Sequence, residues 1–218
     1  MRVKMHWEYR HPKKAGTIFH SEFIQGEEAL FITADLEKTG RAFHIEFEDE
    51  GGLTWTKKEL KKLLEEVMDE PQDITVYFDG GFQKDEGLAS AGVALYYRQN
   101  KKNWRIRSNK MMEILDSNNE AEYAALYYAL TQLEELGVKN TPCTFKGDSQ
   151  VVLNQLSGEW PCFEEGLNKW MDRIEEKLRE LNIKPNYMVI PRKENQEADK
   201  LASQALDQNF ISSRLEII

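Results

Sequence analysis

Ile74-Thr75-Val76-Tyr77-Phe78-Asp79-Gly80-Gly81 alternates with a two-residue period and stops on an acid and two glycines. In a strand, Ile74, Val76 and Phe78 share one face while Thr75, Tyr77 and Asp79 share the other. The run therefore predicts a strand with one apolar face, closed by Asp79. Gly92 to Tyr97 and Trp104 to Ile106 continue the strand pattern, with Gln99-Asn100 as the turn between them. Beyond them the period lengthens. Helices are predicted over Asn119–Leu136, Ser149–Leu156, Glu164–Leu181 and Glu194–Leu206, with strands at Cys143–Lys146 and Tyr187–Ile190. A three-strand meander followed by alternating helix and strand reads as an α/β domain, a mixed sheet covered by helices.

Four acids occupy the informative places. Asp148 ends a strand as Asp79 does, in Lys146-Gly147-Asp148-Ser149-Gln150. In open α/β sheets ligands sit beyond the carboxyl ends of strands, so these two acids are candidates to converge. Glu122 falls in the first turns of a helix, on the side of Ala125, Leu126, Ala129 and Leu133, the core-facing stripe. Glu120, two residues earlier, shares a wetter side with Tyr123, Tyr127, Thr131 and Glu134. An acid on the buried side needs a cation or a proton. Asp199 borders the stripe of Ala198, Leu201, Ala202 and Leu206. Taken singly, each acid is explained by turns and caps, where Asp is favoured. Order and context distinguish the set.

Phe78-Asp79-Gly80-Gly81, then Ser117-Asn118-Asn119-Glu120-Ala121-Glu122, then Gly147-Asp148-Ser149-Gln150, then Asn195-Gln196-Glu197-Ala198-Asp199-Lys200-Leu201-Ala202 resemble the type 1 ribonuclease H family over residues 74 to about 207. The resemblance implies that family's fold, a five-stranded sheet with three antiparallel strands and two more parallel to the first. It implies that Asp79, Glu122, Asp148 and Asp199 are catalytic and metal-binding carboxylates. They would hold two Mg²⁺ ions, replaceable by Mn²⁺, for hydrolysis of the RNA strand of an RNA–DNA hybrid. It also implies substrate contacts from Gly80, Gly81, Ser117, Asn118, Asn119, Gln150 and Asn195, several of them to the RNA 2′-hydroxyl. A helix N-cap is the plain structural alternative for Asn118.

The chain departs from the family pattern at two places. Gly158 to Asn182 lacks the basic, Trp-rich protrusion of the well-known bacterial enzyme, so the chain resembles protrusion-less members. The family's histidine ahead of the last Asp is missing, with Arg192 or Lys193 in that loop. Three readings follow: an active endonuclease, a non-catalytic hybrid- or RNA-binding module that keeps the fold, or another nuclease of the same superfold. Retention of all four mutually repelling acids favours the first. The basic strand Lys101–Lys110 reads as an edge whose charges block edge-to-edge pairing.

Met68 to Asp73 reads as a linker dividing a small α+β domain (1–70) from the domain just described (71–218). In the first part, strands are predicted at Val3–Tyr9, Thr17–Phe23 and Ala42–Phe47, with helices at Glu27–Lys38 and Thr56–Val67. The second helix opens on a Thr56–Glu59 capping box. Residues 2–14 interleave Arg2, Lys4, Arg10, Lys13 and Lys14 with His6, Trp7, Tyr9 and His11. Lys4 and Trp7 are therefore candidate nucleic-acid contacts, with a protein-interaction or structural role as the equal alternative. The net charge of −9 opposes nucleic-acid binding unless bound cations reverse the local field. With only Cys143 and Cys162, no apolar span and no signal-like start, the expectation is a cytoplasmic protein without membrane partners.

Overall fold

Two units make up the chain, Met1–Asp69 and Glu70–Ile218, and the computed structural model describes residues 1–112 and 115–217. The first comprises β1 (Arg2–Tyr9), β2 (Thr17–His20), β3 (Ile24–Gln25), α1 (Gly26–Lys38), β4 (Ala42–Asp49), β5 (Thr54–Thr56) and α2 (Lys57–Asp69). Its sheet runs β2-β1-β4-β5, with β3 beside β1 and every pairing antiparallel. Val3, Met5 and Phe47 bury against Ala29 of α1 and Leu60 and Leu64 of α2. The capping box forms: Thr56 Oγ1 accepts the Glu59 N–H at 3.3 Å, and Glu59 Oε2 accepts the Thr56 N–H at 2.8 Å.

The cations in and just after β1 are more engaged than the sequence implies. Arg2 pairs with Glu50 at 3.4 Å and Arg10 with Glu8 at 2.7 Å. Lys4 lies over the Phe23 ring, and Trp7 stacks half-buried on Phe19. Two of the five basic residues expected to present charge there already have acidic partners.

The second unit comprises β6 (Gln72–Gln83), β7 (Leu88–Gln99), β8 (Lys102–Met111), α3 (Asn118–Glu135), β9 (Pro142–Gly147), α4 (Gln150–Leu156), α5 (Glu165–Glu180), β10 (Lys184–Val189), a 3-10 turn (Arg192–Glu194), α6 (Gln196–Leu206) and β11 (Ser212–Ile217). Strands β6, β7 and β8 form the antiparallel meander, β9 runs parallel to β6, and β10 parallel to β9. Asn100 and Lys101 both have positive φ, the two-residue turn that matches strand twist in a hairpin. Ile74, Val76 and Phe78 fill the core with Val93, Leu95 and Phe145, against Leu126, Leu130 and Leu133 of α3. On the other face α6 packs across β6, β7 and β8, and Ser90 Oγ donates to Ala202 O at 2.8 Å. No helix among the described residues is long and apolar enough to cross a membrane.

The structure departs from expectation at three places outside the site. The sheet has a sixth strand: β11 pairs antiparallel with β8, giving the order β10-β9-β6-β7-β8-β11. Consequently β8 is not an edge, and Arg105 and Arg107 converge instead on Glu197 of α6 at 3.3 and 3.2 Å. Tyr123, expected on a wet face, is fully buried because α4 and α5 cover that side of α3, and its Oη donates to Gln155 at 2.8 Å.

One buried side chain fixes the chain as it enters β11. Asn109 Nδ2 donates to Leu201 O at 2.8 Å and Asn209 O at 3.0 Å, while its Oδ1 accepts the Ile211 N–H at 2.6 Å. Asn109→Ala strands those backbone groups. Its expected cost is about 2–4 kcal/mol, since each buried unpaired group costs roughly 1–3. Urea unfolding of the full chain measures it, and a loss below about 0.5 kcal/mol means water replaces the amide.

Candidate active site

Asp79 lies inside β6, not at its end, because β6 continues against β7 through the pairs Asp79↔Gly92, Gly80↔Ala91 and Gly81↔Ser90. Against β9, however, the pairing stops at Tyr77↔Lys146. Asp79 therefore stands where β6 and β9 part, beside Asp148, which follows the last residue of β9. Ser149 then turns the chain into α4, its Oγ accepting the Val152 N–H.

Glu122 reaches this place because of Gly80. A Cβ on Gly80 would lie 2.4 Å from the Glu122 nitrogen, so α3 can touch β6 only at a glycine. The Gly80 N–H in turn donates to Glu122 Oε2 at 3.3 Å. A Cβ on Gly81 would lie 2.3 Å from Ser90 Oγ and 3.0 Å from Leu206 on the α6 side. The two glycines, expected as substrate contacts, are close-packing points for helices on opposite faces.

Asp79, Glu122 and Asp148 each place a carboxylate oxygen within 4.8 Å of the others. Asp79 is 7% exposed and Glu122 6%. Burial, then the charges of Asp148 and Asp199, pushes the Asp79 carboxyl up to about 8. Burial, then Asp79 and Asp148, pushes Glu122 well above the usual carboxylate range. Three clustered carboxyl groups with only oxygen donors suit a hard divalent cation, which offsets the burial and the repulsion that otherwise hold protons there.

Asp199 lies outside that trio. It sits in the first turn of α6, where Oδ1 accepts from Arg192 Nη2 at 2.8 Å. The Arg192 guanidinium is held above its ordinary value by that contact and is otherwise exposed.

The remaining candidates divide. Ser117, not Asn118, caps α3, its Oγ accepting the Glu120 N–H at 3.1 Å. Glu120 completes the start of the helix by accepting the Asp116 N–H and Trp170 Nε1. That leaves Asn118 exposed and Asn119 half-buried in the first turn of α3, with Gln150 exposed at the first position of α4. Asn195, expected to touch substrate, is buried behind the carboxylates, where its amide donates to Phe78 O, Asp79 and Asp148. The signal for that placement was present: residues 195, 198 and 202 share the core stripe of α6.

Comparison with known proteins agrees with this geometry. Residues 77–205 match the family described as reverse transcriptase-like. The uncharacterised protein YpeP of Bacillus subtilis (strain 168) is 45% identical over 201 residues, covering 92% of this chain and 88% of that protein, so the similarity spans both units. Ribonuclease HI of Halobacterium salinarum is 30% identical over 144 residues, which are 62% of this chain and 64% of that enzyme. Among solved structures, LC11-RNase H1 in complex with an RNA/DNA hybrid superposes with a TM-score of 0.55 at 26% identity, covering 62% of this chain and 98% of that one.

Proposed function

The chain belongs to the reverse transcriptase-like family, of type 1 ribonuclease H kind, and on that premise we propose that it hydrolyses the RNA strand of RNA–DNA hybrids at the Asp79–Glu122–Asp148 cluster. The convergence of those three carboxyl groups within 4.8 Å carries the reading. A module that only bound hybrid would gain nothing from burying mutually repelling acids at the mouth of its sheet.

The protein residues have separable tasks. Asp79, central in the cluster, would hold divalent cation together with Glu122 and Asp148, and Asp199 is the candidate further ligand. The ions supply activation of water near neutral pH and neutralisation of charge developing on the scissile phosphate. Asp199 would serve in that role only on giving up its contact with Arg192. Asn118 and Asn119, in the first turn of the helix that carries Glu122, and Gln150, two residues after Asp148, would read the 2′-hydroxyl of the RNA strand. Ser117 stands beside them for a DNA-strand phosphate.

The full chain, incubated with labelled RNA–DNA hybrid, single-stranded RNA, duplex RNA and duplex DNA, tests this directly. Cleavage confined to the hybrid, present with Mg²⁺ or Mn²⁺ and abolished by chelator, is the expected result. Binding of hybrid without cleavage under every metal condition means a non-catalytic module instead.

A further inference from the structure

Asn195 offers one amide nitrogen to acceptors on three different residues. Nδ2 lies 3.0 Å from Phe78 O, 3.0 Å from Asp148 Oδ1 and 3.4 Å from Asp79 Oδ1. Its two hydrogens serve the nearer pair, with the third acceptor sharing. Asp79 lies in β6 and Asp148 just past the end of β9, and nothing in the backbone ladder fixes their spacing, because β6–β9 pairing has already ended. Between two carboxyl groups that no ladder holds, a shared donor favours one separation over others.

The main chain of the same residue reaches the fourth acid. Asn195 O accepts the Asp199 N–H at 3.1 Å, the bond that opens α6. One residue thus connects to Asp79 and Asp148 through its side chain and to Asp199 through its backbone.

Packing does not explain the choice of asparagine. The side chain is 1% exposed at the N-cap of α6, where asparagine is a favoured residue, yet it makes no capping hydrogen bond and turns to the carboxylates. Its Oδ1 is buried with no hydrogen-bond partner, so the amide is kept at a standing cost to the fold. A buried group retained at a cost is expected where it serves the site.

We infer that Asn195 is a positioning residue for the cation site, bracing Asp79 and Asp148 at ligating distance and registering α6, with Asp199, against them. This rests on the metal-dependent reading above. It assigns Asn195 no contact with the hybrid, so its removal acts on cation affinity more than on substrate affinity.

Titration calorimetry of Mg²⁺ into substrate-free protein, repeated by Mn²⁺ electron paramagnetic resonance, reads the effect without turnover. Asn195→Ala is expected to weaken cation binding by about tenfold or more, the usual effect of removing a group that orients metal ligands. Hybrid cleavage should demand correspondingly more Mg²⁺, while KM for hybrid at saturating Mg²⁺ stays within about twofold, as for a residue that makes no uniform binding contact. Unchanged cation affinity with a raised KM returns Asn195 to the substrate contacts and overturns the inference. Unchanged cation affinity with a lowered melting temperature overturns it in favour of plain packing.

Should Asn195→Ala not fold, Asn195→Ser keeps a shorter donor and is expected to fall between the two. The wild-type protein supplies an independent readout, the side-chain amide NMR signal of Asn195. It should exchange slowly with solvent and shift during Mg²⁺ titration with the calorimetric midpoint. An amide signal indifferent to Mg²⁺ also overturns the inference. If wild type binds the cation and cuts hybrid while the variant binds normally, only this inference fails. If wild type neither binds the cation nor cuts hybrid, the proposed function fails with it.

Discussion

Asp79→Asn is expected to lower hybrid cleavage by at least about a thousandfold, equivalent to roughly 4 kcal/mol of lost transition-state stabilisation at about 1.36 kcal/mol per decade. Asp79 is the acid that Glu122, Asp148 and Asn195 all face, so no neighbour can take its place. Asparagine keeps the volume and one acceptor oxygen, and the Asn195 amide can still donate to it. The fold should therefore persist, and far-UV circular dichroism checks that. Stability should move opposite to activity. At about pH 9 without divalent cation, the variant is expected to melt above wild type, because it removes a charge that burial and two neighbouring acids disfavour. Cleavage within about tenfold of wild type in Mg²⁺ would reject Asp79 as a ligand of the cation.

Residues that act through local spacing were legible in the sequence. The period-two run at Ile74, Val76 and Phe78 names the core face of β6, and the helical period puts Glu122 on the buried side of α3. The Thr56–Glu59 capping box is a contact between residues three apart, so spacing suffices to see it.

The features that escaped depend on distant partners. Strand β11 carries little apolar alternation; main-chain pairing with β8 and the buried Asn109 amide define it. Its presence turned β8 from an edge into an interior strand. Gly80 and Gly81 look like a turn, and only the approach of α3 and α6 shows that they are packing points. Tyr123 lies on the less apolar side of α3 by period, yet helices from later in the chain bury it. At the site, the family motif brought the acids forward, but motif alone assigns Asn195 to the substrate. Its burial and three acceptors become visible only when β6, β9 and α6 meet.

The same cluster should make stability depend on pH and on Mg²⁺ together. In the unfolded chain Asp79 releases its proton near 3.8, while in the folded protein it holds the proton up to about 8. Between those values the folded state binds more protons than the unfolded one, so stability falls as pH rises. The stabilising contribution is complete below about pH 4 and is lost through the folded value near 8, and Glu122 moves in the same direction. The combined loss is on the order of a few kcal/mol, since each tenfold gain in proton affinity is worth about 1.36 kcal/mol. Relaxation of the cluster recovers part of it.

Asp49 runs the other way. Its carboxylate accepts the Leu53 N–H, the Trp55 indole and the Gly51 N–H and is held below the usual range. Its contribution is lost only as pH falls below the ordinary carboxylate value, outside the window set by Asp79. Melting temperatures from about pH 5 to about pH 9 should therefore decline in chelator, and decline much less at saturating Mg²⁺, since cation binding replaces the proton. Asp79→Asn in chelator should show a shallower decline than wild type. Identical slopes for wild type with and without Mg²⁺ and for the variant would mean that the buried acids neither hold protons nor bind the cation, and that another group sets the pH dependence.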